Sequence, residues 1–308
     1  MSGVAQSLWG EAWRELWRRR TARVCLAVAA LFAVAALYGE IVYRVYQWRD
    51  VTAPYQQVNL EQRYLPPGFA RSAETGGGFW HHPLGTDNLG RDVLLRLVQG
   101  ARIAFLVGVV TACIAIPLGV ALGCLAGYFG GKVDDVVVWL YSTVAAMPGL
   151  LFVLAISMVV GKGLLGVYLG IGLTTWVGVC RLLRGEVMKH RERPYVLAAR
   201  ALGFGPFRIL FRHILPNVFH LVIITFSLRF PAAVSTEVFM SFLGIGVQGE
   251  PSWGVMIGNA RLRLWQGVWW ELTFVTVAIL AVVLAFNWLG DALRDALDPR
   301  LRGRRDEA

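Results

Sequence analysis

The sequence predicts an all-α polytopic bundle that crosses a bilayer about six times. Three observations predict it. Of the 308 residues, 56% are hydrophobic and only 16% charged, whereas soluble globular chains carry roughly 25% charged residues. Long apolar runs with one or no charge recur along the chain. Backbone groups in hydrocarbon must be satisfied within the segment, so each run is a helix. The alternating pattern of barrel strands, about ten residues each, is absent.

Residues 1–23 form a polar N-terminal segment carrying Arg14, Arg18, Arg19, Arg20 and Arg23. Residues 24–38 are uncharged and almost wholly apolar; Ile41, Val42 and Tyr43 extend them past Glu40, which can snorkel to the interface. The first span is placed at 24–43. A cleavable signal peptide is the rival reading, and Tyr38-Gly39-Glu40 suits cleavage poorly, so a retained anchor is favoured.

Residues 44–100 form the longest polar stretch, with loop signals at Pro66-Pro67-Gly68 and Gly76-Gly77-Gly78. Val93, Leu94, Leu97, Val98 and Ala101 then repeat at helical spacing, which predicts a short amphipathic helix on the membrane surface. Five further apolar runs follow, at 103–129, 136–160, 163–180, 214–236 and 272–289, the fourth interrupted by Arg229. They define a five-span domain over 101–289 and a tail at 290–308.

The net charge of +10 is read by sidedness. Nineteen of the thirty Lys and Arg fall in 1–23, 130–135, 181–213 and 290–308, and nine in the segments between. The positive-inside rule then puts both termini in the cytoplasm. The positive charge needs no nucleic acid to explain it.

Gly119, Gly123 and Gly127 lie four apart, as do Gly166 and Gly170. Such spacing lets helix backbones approach closely, either within this chain or against a second membrane subunit. Cys25, Cys113, Cys124 and Cys180 all fall in apolar runs without metal-pair spacing and read as small buried hydrophobes.

The segment 181–217 is the most informative. Tyr195, Ala198, Ala199 and Leu202 form one apolar stripe on a short helix, with Lys189, Arg191, Arg193 and Arg200 outside it. Gly203 stands where a helix stops, and Pro206 can start the next. Two short helices with a glycine corner make a compact knob, suited to a partner's groove or to rest on headgroups.

Ala198-Ala199-x-x-x-Gly203 followed by Ile214-x-Pro216 resembles the EAA loop, here 184–216, of ABC importer permeases. The wider string from Tyr195 to Asn217 is similar to the dipeptide/oligopeptide/nickel branch, and specifically to its C-type permease. Three other stretches support the resemblance in family order. They are His82-Pro83-Leu84-Gly85-Thr86-Asp87 with Gly90-Arg91-Asp92, then Ser241 to Gly246 with Pro251 to Gly254, then Asn287 to Pro299. The family's EAA glutamate is Leu197 here, which removes any salt bridge from that position.

The resemblance implies the type I importer permease fold and a place in the bacterial inner membrane. It also implies four partners: a homologous second permease, two cytoplasmic ATPase subunits and an extracytoplasmic solute-binding protein. Tyr195, Ala198, Ala199, Gly203 and Pro216 would form the ATPase coupling loop. The expected cargo is short peptides or peptide-like solutes, with nickel or another non-peptide solute as the alternative. The chain has no G-x-x-x-x-G-K-[ST] phosphate loop. It is therefore read as a translocation subunit without its own ATPase, catalytic residues, metal or cofactor, the partner ATPases holding ATP and Mg.

Arg229, Ser235 and Glu237 are candidates for the translocation path, since a charge near mid-bilayer costs about 2.5–3.5 kcal/mol and needs a cavity or partner. Asp87, Arg91 and Asp92 are candidates for an extracytoplasmic contact. His81-His82 is too sparse a group for a metal site, and His190, His213 and His220 receive no role. Asp291, Arg294, Asp295 and Asp298 share a helix face, either solvated or against the ATPase. An intramembrane enzyme would need paired catalytic groups within spans. A secondary transporter or channel would need no knob, and an inverted repeat would favour it.

Overall fold

The structure, a computed structural model, describes residues 17–70 and 82–297. The segment 1–16, His81, and Asp298 and Pro299 of the tail motif lie outside the described residues. Regular structure among the described residues is helical, apart from one isolated antiparallel bridge between Thr86 and Asp92.

Helix α1 spans Arg20–Trp48, beyond the 24–43 read from hydropathy. Its extension is possible because Glu40 does not snorkel alone: it accepts from Arg44 Nε at 2.6 Å and from Arg102 Nε at 2.7 Å. Helix α2 runs unbroken over Val93–Phe129, about 55 Å at 1.5 Å per residue. The surface helix expected before residue 101 is therefore the first quarter of one long helix. Its polar residues Arg96, Gln99 and Arg102 are buried against the protein. Gly100 makes the packing possible, since a Cβ there would stand 2.2 Å from the Trp253 ring.

Helices α3 (Gly131–Ala146) and α4 (Gly149–Val160) meet at a 92° bend. The run 136–160 reads as one span, and Pro148 breaks it into two helices. Proline has no N–H and forces the preceding residue out of the α region; Met147 is extended at ψ 140°. Helix α5 follows over Leu164–Arg191, then α6 (Pro194–Ala201) and α7 (Pro206–Ile209). A π-turn at Leu210–Ile214 carries α7 into α8, Leu215–Phe242. Helices α9 (Trp253–Ala260) and α10 (Trp270–Leu297) complete the fold. Among the described residues five helical segments are long and apolar enough to cross a membrane, or six where the bent α3–α4 pair counts as one span.

Lipid tails offer helices no hydrophobic drive to associate, so close packing must hold the bundle. The glycine stripe supplies it inside this chain. Cβ atoms at Gly119, Gly123 and Gly127 would come within 2.8, 2.6 and 2.7 Å of the carbonyls of Trp176, Cys180 and Arg184 on α5. Gly166 and Gly170 pack against Ser157 and Val153 of α4 in the same way. An aromatic cluster joins the other spans: Phe32, Phe105 and Phe230 touch one another, and Phe230 stacks on Phe286 at 4.2 Å. Cys25, Cys124 and Cys180 are buried, but Cys113 is exposed on the outside of α2.

Helix α2 connects two ends of contrasting chemistry. Arg19, just before α1, reaches Asp295 of α10 at 2.9 Å, so the chain enters α1 and leaves α10 at the same end as Phe129.

Candidate coupling knob and transmembrane cavity

At the Phe129 end, the chain between α5 and α8 folds into a knob. Pro194 opens α6 with Arg193 extended before it, as proline demands of its predecessor. The helix closes in a Schellman motif: Gly203, at φ +77°, donates to Arg200 O at 2.9 Å, and Phe204 donates to Ala199 O at 3.1 Å. Pro206 starts the next helix. Pro216 has no N–H to give Arg212, and the π-turn just before it shifts the pattern so that Leu215 donates to Leu210 O.

One face of the knob is rooted in the bundle. Val196, Ala199, Ile209, Leu210 and Ile214 pack with Cys124, Tyr128 and Val187. Around this root, Arg200 lies over the Tyr128 ring, Phe204 stacks on His213, and Tyr195 Oη meets His190 Nδ1 at 2.7 Å. Beneath it, Arg184 forks onto both oxygens of Asp134 at 2.5 and 2.6 Å, and Arg191 caps the last carbonyls of α2.

The four-residue stripe read from the sequence divides between two faces. Ala199 is buried, together with Val196, while Tyr195, Ala198 and Leu202 point outward. Leu197, in the place of the family's glutamate, is exposed as well, and so are Phe207 and Phe211. Leu202 keeps 73% of its surface exposed. These outward apolar residues were legible as apolar positions within a basic segment, and so was the glycine turn between the two helices; which of them face outward was not. Gly203 stands beside this face, with nothing within 4 Å of a Cβ placed on it.

The opposite end of α2 is a polar latch. Asp87 is 1% exposed and accepts from the backbone of Leu89 and Arg91 and from Arg91 Nε at 2.7 Å, with Arg96 Nε at 3.4 Å. Asp92 caps α2 through Leu95 N and pairs with His82 Nδ1 at 2.7 Å, whose Nε2 meets Gln62. Thr86 bonds the 62–65 backbone, and its carbonyl accepts from Trp270 Nε1. Asp87, Arg91 and Asp92, read as candidates for an outside contact, are thus engaged inside the fold. Gly90 is fixed by the crowding: a Cβ would fall 1.7 Å from Asn59 O.

Between the two ends, Arg229 of α8 lines a cavity of about 290 Å³ with Gly149, Val153, Thr174, Thr175, Gly178 and Thr236. A smaller space of about 40 Å³ adjoins it, where Thr111 of α2 joins Arg229, Thr175 and Thr236. Of the other path candidates, Ser235 is exposed and Glu237 is 0% exposed. Neither lines these spaces. Glu237 instead accepts from Ser241 Oγ, which also holds Val247 N, so this carboxylate ties α8 to the loop before α9. The threonines went unnoticed in the sequence; their signal was a few hydroxyls inside otherwise apolar runs.

Residues 119–303 match the family model "Binding-protein-dependent transport system inner membrane component". Residues 7–67 match "N-terminal TM domain of oligopeptide transport permease C". The dipeptide transport system permease protein DppC of Bacillus subtilis is 37% identical over 95% of this chain and 86% of its own length. The oligopeptide transport system permease protein OppC of the same organism is 34% identical over 98% and 93%. The glutathione transport system permease protein GsiD of Pectobacterium atrosepticum is 33% identical over 94% and 92%. Among solved structures, a chain of the MetNI methionine ABC transporter superposes on 67% of this chain and 96% of its own, with a TM-score of 0.49 at 18% identity. With matches that run through the knob, the latch and all the spans, this chain belongs to the family of binding-protein-dependent transport system inner membrane components, in its permease C branch.

Proposed function

We propose that this chain is the C-type permease of an ATP-driven importer that carries short peptides or peptide-like solutes into the cytoplasm. Its relatives are named for dipeptides, oligopeptides and glutathione, which supports that solute class over nickel. The complex would contain a second permease, two ATPase subunits and an extracytoplasmic binding protein. The knob then faces the cytoplasm, as the arginine-rich side of the chain requires, and both termini lie on that side. The latch faces outward.

The observation that carries this reading is the knob's unsatisfied apolar face on a rigid root. Tyr195, Leu197, Ala198, Leu202, Phe207 and Phe211 are exposed, yet the backbone beneath them is fixed by the Schellman turn and the buried Val196–Ile214 contacts. Such a face gains stability when a groove covers it. Closure of the ATPase pair would push on Ala198, Leu202 and Gly203, and Ala199 behind them would pass the load to the root. The motion would reach α5 and α8 directly, because the knob connects them without a flexible linker. Hydrolysis belongs to the partners, which hold ATP and Mg.

The test is ATP-dependent uptake of a peptide panel by the complex reconstituted in vesicles. Uptake should require ATP and the binding protein. Leu202→Asp should abolish uptake while the permease pair still assembles. Transport by the wild-type chain without ATPase subunits, or normal transport by Leu202→Asp, would refute the reading.

A further inference from the structure

Arg229 sits thirteen or more residues from either end of α8, about 20 Å at 1.5 Å per residue. Snorkelling to headgroups serves side chains near helix ends, not one so placed. A cation there needs a counter-charge or water. Among the described residues no hydrogen bond or ion pair reaches Arg229, and no Asp or Glu lines the two spaces it faces. Its guanidinium is nevertheless held in a definite place: it rests over the α5 backbone at Gly178, where a Cβ would stand 1.8 Å from Nη2.

We infer that Arg229 is a specificity-determining residue that receives a carboxylate of the solute during its passage. This rests on the importer reading given above. Two features of the cavity favour a solute over a carboxylate on the partner permease. Its volume of about 290 Å³ is at the lower end of small-ligand pockets, about 300–1,000 Å³, which suits a dipeptide-sized body. Its polar remainder is also complementary to a peptide. The hydroxyls of Thr174, Thr175 and Thr236 donate to carbonyls of their own helices. Their free lone pairs are left as acceptors for amide or ammonium N–H groups. The site thus pairs one fixed cation with a ring of acceptors, and a guanidinium can grip a carboxylate bidentately.

The test compares uptake of di-alanine and of its C-terminal amide by the full reconstituted complex, for wild type and three variants. Arg229→Gln should lower the acid-over-amide selectivity at least tenfold, with the amount of assembled complex unchanged. Arg229→Lys should keep most of the selectivity. Gly178→Ala, which displaces the guanidinium while leaving its charge, should fall between the two. Selectivity unchanged by Arg229→Gln overturns the inference, as does loss of the permease pair, which would place the counter-charge on the partner. If the wild type moves neither peptide, the importer reading falls as well; if it moves peptides but the variants do not alter selectivity, only this inference falls.

Discussion

The latch and the knob stand at opposite ends of α2 and dispose of their distinctive residues in opposite ways. The latch engages its polar groups internally: Asp87, Arg91, Arg96, Asp92 and His82 find their partners within the chain. The knob leaves large apolar side chains uncovered, Leu202 and Phe211 among them, on a backbone that is firmly rooted. Motif residues alone do not say which kind of site they make. A motif whose groups are internally satisfied maintains the fold, and a motif whose groups remain unsatisfied awaits a partner.

Four substitutions test that contrast. The largest effect on stability is expected from Asp87→Ala, which takes from Arg91 and Arg96 the carboxylate they share; breaking a buried pair costs about 3–5 kcal/mol. Thermal unfolding of the purified complex in nanodiscs checks it, and a loss below 1 kcal/mol would mean the latch is not structural. Gly90→Ala follows, at about 3 kcal/mol, from the clash with Asn59 O and the strained φ. At the knob, Gly203→Ala is expected to cost only about 1 kcal/mol, the penalty of a left-handed φ in open space. Leu202→Asp is expected to change stability by less than about 0.5 kcal/mol while removing ATPase co-purification. A strong effect of Leu202→Asp on unfolding would erase the distinction between the two ends.

Some of this was readable because its physics is local. Gly203 ends α6 and Pro206 starts α7 through backbone conformation alone, and each apolar run announces a helix by its length. The same locality explains the misreadings. Val93 to Ala101 has the pattern of a surface helix, because nothing nearby in sequence reveals Trp253 packing on Gly100. The run 136–160 contains a proline, as α2 does at Pro117, yet only Pro148 breaks its helix through a 92° turn. Which proline is absorbed depends on the helices packed around it.

By itself the sequence determined the membrane class, the set of apolar spans, the charge asymmetry between their connections and the glycine corner of the knob. Each of these follows from hydrophobic length or from the φ preferences of a single residue. Tertiary structure alone decided which face of α6 is rooted, that the Gly119–Gly127 stripe seats α5 of the same chain, that Glu40 and Glu250 share Arg102, and that Arg229 has no such partner among the described residues. Those outcomes depend on residues as many as 148 positions apart. Whether a charge is satisfied is a property of the packed bundle, because a counter-charge acts through space and leaves no trace in the neighbouring sequence.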